Sequence, residues 1–205
     1  MSVDVPLASP APLPRAADLA ARIGAVLAAR ARIVLDDRAG RPAAVLLVLY
    51  DRDERPHIIL TKRATHLPAH PGQVSLPGGQ RDPEDPDLRT TALRETFEEL
   101  GIDPAAVAVV GELDDVATFQ SQFIVTPVVG VLDATPQPQP NPGEIARVME
   151  IPVAEILAID AALPARPSLR ELRYRLDGED VWGATARILR DFAAIARDAT
   201  ADAGG

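Results

Sequence analysis

The sequence predicts an α/β (α+β) domain in which helices cover both faces of one mixed central sheet. Predicted strands outnumber predicted helices, and the apolar strands do not repeat as regular βα units. The run from Ala43 to Tyr50 is continuously apolar, as strands are when both faces of their sheet are covered. Apolar residues make up 47% of the chain and aromatic residues 3%, so we expect a core of alanine, valine, leucine and isoleucine. At 205 residues, a single domain over residues 15–200 is expected.

The first part of the chain contains helix, strand and loop signals in turn. Residues 1–14 hold four prolines and little to bury, which predicts a disordered lead. An amphipathic helix is predicted from Asp18 to about Arg32, and strands from Ala43 to Tyr50 and from His57 to Arg63. Residues 64–79 form a long loop rich in proline, glycine and histidine, and loops of this length are often functional.

The second part of the chain is organised around a helix from about Asp87 to Leu100, with Asp87 as its N-cap. Its glutamates are predicted to face solvent and its apolar positions to face the core, at Leu88, Ala92, Leu93, Thr96, Phe97 and Leu100. The proline-rich residues 133–143 predict an inserted surface loop. The other predicted elements are strands 107–113, 123–132, 144–151, 169–176 and 181–182, and helices 153–157 and 184–197.

Composition argues against several classes of function. The net charge of −9 and the pI near 4.8 leave no basic stripe for phosphates, so no nucleic-acid partner is expected. Cysteine is absent, which excludes disulfides, zinc–thiolate sites and thiol catalysis. The longest aliphatic run, Ala43–Leu49, is too short to span a bilayer, and the first residues lack a signal-peptide pattern. We therefore expect a cytoplasmic protein with no membrane partner; the oligomeric state stays open, a homodimer included.

Three glutamates define the main candidate site. Glu95, Glu98 and Glu99 stand at i, i+3 and i+4 of the predicted helix, so their carboxylates share one face. Carboxylates this close repel one another, and Arg94 alone does not neutralise all three. Hard divalent cations that prefer oxygen ligands, Mg²⁺ or Mn²⁺, would offset the repulsion. The alternative is a solvated acidic face on a helix that ends at Gly101.

The residues around the glutamates favour the metal site, because they form a known pattern. The stretch Leu76–Gly79 ends in two glycines ahead of the helix, and Arg94–Ile102 reads Arg-Glu-Thr-Phe-Glu-Glu-Leu-Gly-Ile. Together they resemble the Nudix box, in which a glycine and a glutamate precede Arg-Glu-apolar-any-Glu-Glu-any-Gly-apolar. The second half matches with Thr96 at an aliphatic position. The loop over residues 80–87 carries one extra residue, which argues against a role for Glu84 or Asp85.

The resemblance implies an αβα sandwich and metal-dependent hydrolysis of a diphosphate. Carried over residue by residue, it implies metal ligands at Glu95, Glu98, Glu99 and the carbonyl oxygen of Gly78, with Arg94 orienting the glutamates. A glutamate that is not occupied by metal, such as Glu98, can act as general base. Glu144, which follows the proline-rich loop, is a second candidate for a base; its alternative is a solvated charge at a strand end.

A second resemblance concerns the substrate. The stretches Ile59–Ala64 and Gly72–Gly79 resemble the signature of the coenzyme A pyrophosphatase branch of Nudix hydrolases. The segments 126–130 and 181–186 also match, so the resemblance covers about residues 40–195. Pro68 replaces an arginine of the signature and Leu76 a phenylalanine. The first change removes a cation that could hold a phosphate.

The branch resemblance implies cleavage of coenzyme A or its thioesters into phosphopantetheine and adenosine 3′,5′-bisphosphate. The substrate ligands expected from it are Arg63, His70, Gln73 and Gly79; a solvated surface role is the alternative for each charged residue. Trp182 is expected in the core. Pro68 motivates a rival substrate such as ADP-ribose, NADH or a dinucleotide. A non-catalytic nucleotide sensor is a third possibility, against which the intact set of glutamates counts.

Overall fold

The computed structural model describes residues 13–36, 40–68, 70–118 and 122–201. The helices are α1 (Ala16–Ala29), α2 (Leu88–Leu100), α3 (Val153–Ala162) and α4 (Gly183–Ala201). The longer strands are β1 (Arg41–Arg52), β2 (Arg55–Arg63), β5 (Val107–Glu112), β7 (Phe123–Leu132) and β8 (Ile145–Pro152). The short strands are β3 (Val74–Ser75), β4 (Gly78–Gln80), β6 (Val116–Ala117), β9 (Tyr174–Leu176) and β10 (Glu179–Val181).

One mixed sheet forms the centre of the protein. Strand β1 pairs in parallel with β7 and antiparallel with β2 and β4. Strand β2 also pairs antiparallel with β3 and β8, and β7 with β5 and β6. Strands β9 and β10 form a separate hairpin. The predicted mixed sheet is confirmed.

Alternate residues of β1 lie in two different hydrophobic clusters. Leu47 and Leu49 pack with residues of α1, α3 and α4, whereas Leu46 and Val48 pack with Ala92 and other residues of α2. Burial on both faces explains why β1 is apolar at nearly every position. The structure is therefore a sandwich, with α2 on one face of the sheet and the other helices on the opposite face, as predicted.

Helix α2 begins and ends where the sequence predicts. The carboxylate of Asp87 accepts a hydrogen bond of 2.8 Å from the backbone N–H of Thr90, which satisfies an otherwise unpaired donor of the first turn. At the other end Gly101 has a φ of +69°, in the left-handed region that glycine adopts without strain, and its N–H donates to the carbonyl of Phe97.

The proline-rich segment, residues 133–143, docks onto the last turn of α2. The backbone N–H groups of Gln139 and Asn141 donate to the carbonyls of Leu100 and Glu99, at 2.7 and 2.9 Å. The last carbonyls of a helix lack partners within the helix, so this docking satisfies two of them. The segment is a surface loop, as predicted, and it also fixes the end of the acidic helix.

Several predicted boundaries are wrong. Helix α1 ends at Ala29, earlier than expected, and α3 extends to Ala162. The strand predicted over residues 169–176 is confined to β9, because Leu169 is exposed. Residues 64–79 contain the short strand β3 and the first residues of β4.

Three further comparisons with the sequence concern the start of the chain, Trp182 and membrane-spanning helices. Most of the predicted disordered lead, residues 1–12, lies outside the described residues. Trp182 is 42% exposed, so its predicted place in the core is wrong. None of the helices in the described ranges has the length and apolar character that crossing a bilayer demands.

Candidate active site

The two glycines ahead of α2 allow a close approach that other residues would block. Strand β4 places Gly78 opposite Val45 and Gly79 opposite Ala44. Gly78 has a φ of +147°, and a Cβ atom there would lie 2.3 Å from the carbonyl oxygen of Ala44. A Cβ atom on Gly79 would lie 2.5 Å from Oε2 of Glu95. The glycines therefore let the turn press against β1 and let the Glu95 carboxylate lie directly on the turn.

Glu99 is the buried carboxylate of the site. The residue is 4% exposed, and its Oε2 atom is buried without a hydrogen-bond partner. The backbone N–H of Gly78 donates to this carboxylate. Burial, reinforced by the negative charge of Glu95, raises the pKa of Glu99 to about 8. Burial likewise raises the pKa of Glu95.

The burial of Glu99 corrects the predicted orientation of α2. The sequence predicted that the glutamates face solvent and that Phe97 faces the core, but Phe97 is 52% exposed and Glu99 is buried beside Thr96 and Leu100. The helical period contains a signal for this, because Glu99 follows the buried Ala92 by seven residues and so lies on the same face.

Arg94 connects two of the glutamates. Its Nη1 atom lies 3.0 Å from Oε1 of Glu95 and 3.1 Å from Oε2 of Glu98. Glu98 has a side chain that is 55% exposed, so it lies at the open side of the site. The Arg94 guanidinium therefore holds both carboxylates from one side, which agrees with the predicted role of Arg94 as a residue that orients the glutamates.

Asp85 is a site residue that sequence reasoning missed. It is 5% exposed and accepts hydrogen bonds from Nη2 of Arg94, the hydroxyl of Thr91 and the N–H of Asp82, at 2.9, 2.9 and 3.0 Å. The Arg94 guanidinium lowers the pKa of Asp85 to about 2. The extra residue in the loop argued against a role for Asp85, yet the structure shows that Asp85 holds Arg94, whereas Glu84 is exposed. The sequence did contain a signal for Asp85, because its spacing from Gly79 equals the spacing between the glycine and the first glutamate of the box.

Arg63 and Glu144 both lie close enough to Glu99 for their charges to act on it. Arg63 is partly buried at the end of β2, its Nε atom has no hydrogen-bond partner, and its charge lowers the pKa of Glu99. The charge of Glu144 acts in the opposite direction and raises that pKa. The backbone carbonyl of Glu144 accepts the N–H of Ala64 at 2.7 Å. Residues that are distant in the sequence therefore surround one buried carboxylate.

The loop before β3 connects two more predicted residues to Arg63 through backbone hydrogen bonds. The N–H of Arg63 donates to the carbonyl of Gln73 at 2.9 Å, and the N–H of Gln73 donates to the carbonyl of His70 at 3.2 Å. Gln73 is partly buried and His70 is exposed. Lys62, by contrast, forms an ion pair of 2.8 Å with Glu179 of the β9–β10 hairpin, which packs on the other face of the sheet.

The arrangement of the three glutamates is only partly the one predicted. Within the described ranges, no three carboxylate or imidazole side chains are grouped closely enough to hold a metal ion as they stand. Glu95 and Glu99 converge on the glycine turn, whereas Glu98 is directed toward Arg94 at the open side. The donors nevertheless fit a divalent cation, because Glu99 Oε2 is a buried carboxylate oxygen without a hydrogen-bond partner and lies close enough to Glu95 for the two charges to repel each other.

The comparison with protein families assigns the chain. The family model described as "NUDIX domain" matches residues 40–172. The chain is 40% identical over 158 residues to a protein of Enterobacter sp. (strain 638) named "Uncharacterized Nudix hydrolase NudL", covering 75% of this chain and 81% of the relative. The relative of the same name from Yersinia pestis (strain Pestoides F) is 38% identical, with coverages of 75% and 78%.

Solved structures have the same fold at lower identity. The Nudix hydrolase RenU from M. smegmatis is 22% identical with a TM-score of 0.52, covering 75% of this chain and 86% of that one. An Ap4A hydrolase of C. elegans is 20% identical with a TM-score of 0.52 and coverages of 75% and 96%. Fold and family model together define a hydrolase domain of the α/β sandwich type. The chain belongs to the Nudix family, and it is a pyrophosphohydrolase.

Proposed function

We propose that the chain hydrolyses the diphosphate of coenzyme A or of its thioesters, giving phosphopantetheine, or its acyl form, and adenosine 3′,5′-bisphosphate. The main support for a diphosphate site is the Glu99 carboxylate, which is buried near Glu95 and the glycine turn. Its Oε2 atom has no hydrogen-bond partner. The support for coenzyme A is the signature that resembles the coenzyme A branch. Its segments form the end of β2, which pairs with β3, and strand β4, whose Gly79 lies against the Glu95 carboxylate.

We propose Glu95, Glu98, Glu99 and the Gly78 carbonyl oxygen as the ligands of Mg²⁺ or Mn²⁺. When bound, the cation polarises the phosphoryl oxygens and offsets their charge. The chain's own residues fix the ligands in place: the Gly78 N–H orients Glu99, and Arg94 orients Glu95 and Glu98. The buried Asp85 in turn fixes Arg94.

The proton of the attacking water requires an acceptor at the open side of the site. We propose Glu98 for this role when the cation is held by Glu95, Glu99 and the Gly78 carbonyl oxygen alone, because its side chain is the exposed one of the three and Arg94 holds it from one side only. Glu144 is the second candidate, since it is exposed and lies close enough to Glu99 to raise its pKa. The two candidates are separated by comparing the rates of Glu98→Gln and Glu144→Gln at saturating metal.

Arg63 is the proposed ligand of the diphosphate. Its Nε atom is buried without a hydrogen-bond partner, and a guanidinium donates two parallel bonds to phosphate oxygens. His70, Gln73 and Gly79 are proposed as further substrate contacts; the first two are supported by the chain of backbone hydrogen bonds from His70 through Gln73 to Arg63. We also propose a cytoplasmic location and keep the homodimer as an option for the assembly.

One observation favours a second substrate class. Pro68 is exposed in the loop before β3 and takes the place of a signature arginine, so one expected cation is missing. A nucleoside diphosphate derivative such as ADP-ribose, NADH or a dinucleotide needs no such contact. A non-catalytic sensor is less well supported, because the chain keeps every glutamate of the box helix.

A substrate panel tests the proposal. The protein is incubated with Mg²⁺ or Mn²⁺ and, separately, with coenzyme A, acetyl-coenzyme A, ADP-ribose, NADH and a dinucleotide, and the products are resolved by chromatography. We expect phosphopantetheine and adenosine 3′,5′-bisphosphate from coenzyme A, and no product with Glu99→Gln. Intact coenzyme A beside hydrolysed ADP-ribose would reject the first substrate class and support the second.

A further inference from the structure

A groove of about 660 Å³ lies between the proline-rich segment and strand β8. Pro136, Pro138 and Pro140 line one wall, and Ala146, Val148 and Glu150 line the other. This groove is not part of the glutamate site described above. Its two walls differ in what they offer to a ligand, because one belongs to the proline-rich segment, with Thr135 and Gln137 between and beside the prolines, and the other is a strand.

Strand β8 lies at the edge of the sheet. It pairs with β2, and no other strand in the described ranges pairs with its second edge. An unpaired strand edge presents a row of backbone N–H and C=O groups. These groups form a ready partner for any extended chain that carries amides.

The hydrogen bonds of β2 show which of its residues direct their backbone N–H and C=O groups toward β8. The N–H of Arg63 donates to the carbonyl of Gln73 next to β3, whereas the N–H of Ala64 donates to the carbonyl of Glu144 next to β8. Neighbouring residues of a strand direct their backbone groups to opposite edges. Residues alternate along the strand, so Lys62 shares the direction of Ala64 and faces β8.

The same alternation assigns the two edges of β8. Arg147 lies opposite Lys62, so its backbone groups face β2. Val148 and Glu150 alternate with it and direct their N–H and C=O groups away from β2, to the outer edge of β8, and both residues also line the groove. Along one edge these two residues repeat at about 6.6 Å, twice the rise per strand residue.

Three of the five residues that line the groove from the proline-rich segment do not compete for these groups, whereas the other two, Thr135 and Gln137, keep a backbone N–H. Proline has no backbone N–H, so the prolines that line the groove cannot donate to the carbonyls of Val148 and Glu150. Their fixed φ angles also make the wall rigid before a ligand arrives. The groove therefore combines a stiff wall with an unpaired strand edge.

One end of the groove lies close in sequence to Asn141 and Glu144. Pro140 precedes Asn141, whose N–H donates to the carbonyl of Glu99 at 2.9 Å, and Ala146 follows Glu144 by two residues. At the other end, Glu150 forms an ion pair with Arg52 and accepts the Tyr50 hydroxyl at 3.1 Å. The groove thus runs along β8 from the neighbourhood of Asn141 and Glu144 to a polar end.

We infer that the amide-bearing arm of the substrate lies in this groove and pairs with the outer edge of β8 at Val148 and Glu150. The inference rests on the proposed function, because coenzyme A carries such an arm on one side of its diphosphate. The arm is uncharged and holds two amides, each with one donor and one acceptor, which matches a row of backbone groups. Pairing of an extended chain with a strand edge is a common mode of recognition.

The test uses product inhibition by the two halves of the substrate. Val148→Pro removes the outward N–H, and proline is tolerated on an edge strand. We expect the inhibition constant of phosphopantetheine to rise about fivefold, the effect of one lost hydrogen bond, and that of adenosine 3′,5′-bisphosphate to stay unchanged. Val148→Ala is the matched control, since it shortens the side chain and keeps the N–H.

A second measurement does not depend on the folding of a variant. Amide signals of Val148 and Glu150 in the wild-type protein are followed by NMR while phosphopantetheine is added, and shifts at both positions are expected. Hydrolysis of coenzyme A without these shifts, and with equal inhibition constants in Val148→Pro and Val148→Ala, would overturn the groove assignment and leave the proposed function standing. Coenzyme A that stays intact with the wild type would reject the proposed function itself.

Discussion

The guanidinium of Arg94 donates to both carboxylate oxygens of Asp85, from Nε at 3.1 Å to Oδ1 and from Nη2 at 2.9 Å to Oδ2. This pair joins the loop before α2 to the middle of the helix. The same guanidinium contacts Glu95 and Glu98, so the position of two proposed metal ligands depends on a carboxylate that touches neither of them. Substitution of Asp85 or Arg94 should therefore change the positions of the Glu95 and Glu98 carboxylates.

Asp85→Asn should lower both the stability and the activity. The change removes the charge that pairs with Arg94 at a residue that is 5% exposed, and we expect a loss of about 2 kcal/mol in the free energy of unfolding. Activity should fall because Arg94 no longer holds its position relative to Glu95 and Glu98. Urea unfolding and steady-state kinetics at pH 7 measure the two effects. Glu84→Gln, at the exposed neighbouring position, is the matched control.

The Asp85 pair also predicts a pH dependence. Arg94 lowers the pKa of Asp85 from its ordinary 3.8 to about 2, so the unfolded chain binds this proton more readily than the folded one. The stabilisation is complete above about pH 4 and is lost as the pH falls through about 2. The difference in free energy of unfolding between the wild type and Asp85→Asn should therefore shrink over that window. An unchanged difference at pH 2 would show that the carboxylate charge is not responsible.

Glu99→Gln should separate stability from metal binding. Burial raises the pKa of Glu99 from 4.5 to about 8, so the metal-free protein loses stability as the pH rises from about 4.5 through about 8. The glutamine variant carries no such charge and should unfold at a higher temperature than the wild type at pH 8 without metal. Its kcat should fall by more than about 100-fold, since it lacks a proposed metal ligand.

Thermal unfolding with and without Mg²⁺ checks the Glu99 prediction independently of activity. A cation that binds the folded state alone raises the unfolding temperature. We expect this rise in the wild type and a much smaller one in Glu99→Gln. Equal rises in both proteins would remove Glu99 from the ligand set, and Glu155→Gln in the distant helix α3 serves as a charge-matched control.

Gly79→Ala should damage catalysis more than folding. Its Cβ atom would lie 2.5 Å from Oε2 of Glu95, which is the end of a flexible side chain and can move away. Displacing a site group by about 1 Å can lower the rate about 100-fold. In Gly78→Ala the added Cβ atom would clash with the backbone of β1, and alanine rarely adopts a φ of +147°. This variant should instead lower the free energy of unfolding. Circular dichroism and kinetics on both variants distinguish a displaced carboxylate from a distorted strand.

The sequence predicted the sandwich and the glutamate helix because both depend on local patterns. The apolar run of β1, the N-cap Asp87 and Gly101 are each visible within a few residues of the chain. Asp85 was missed because its partner Arg94 lies nine residues away, across a loop of unusual length. The buried Glu99 was predicted to be exposed because the pocket around it is formed by the distant turn at Gly78. Charged residues are expected at the surface unless such a partner is known.

Pro68→Arg should shift the substrate preference toward coenzyme A. Pro68 is exposed in the loop that the backbone of Gln73 and His70 ties to Arg63, so an arginine there adds a second guanidinium at the proposed diphosphate site. One additional charged hydrogen bond supports a rise of about tenfold in kcat/KM for coenzyme A relative to ADP-ribose. Pro68→Ala is the matched control, because it removes the proline without adding a charge. A rise in both variants would assign the effect to the conformation of the loop, and no change in either would mean that this position does not face the substrate.

Because the added guanidinium would act on the charge of the phosphates, the rise in kcat/KM of Pro68→Arg should also weaken as the salt concentration increases. Measurements at low and high ionic strength would detect this.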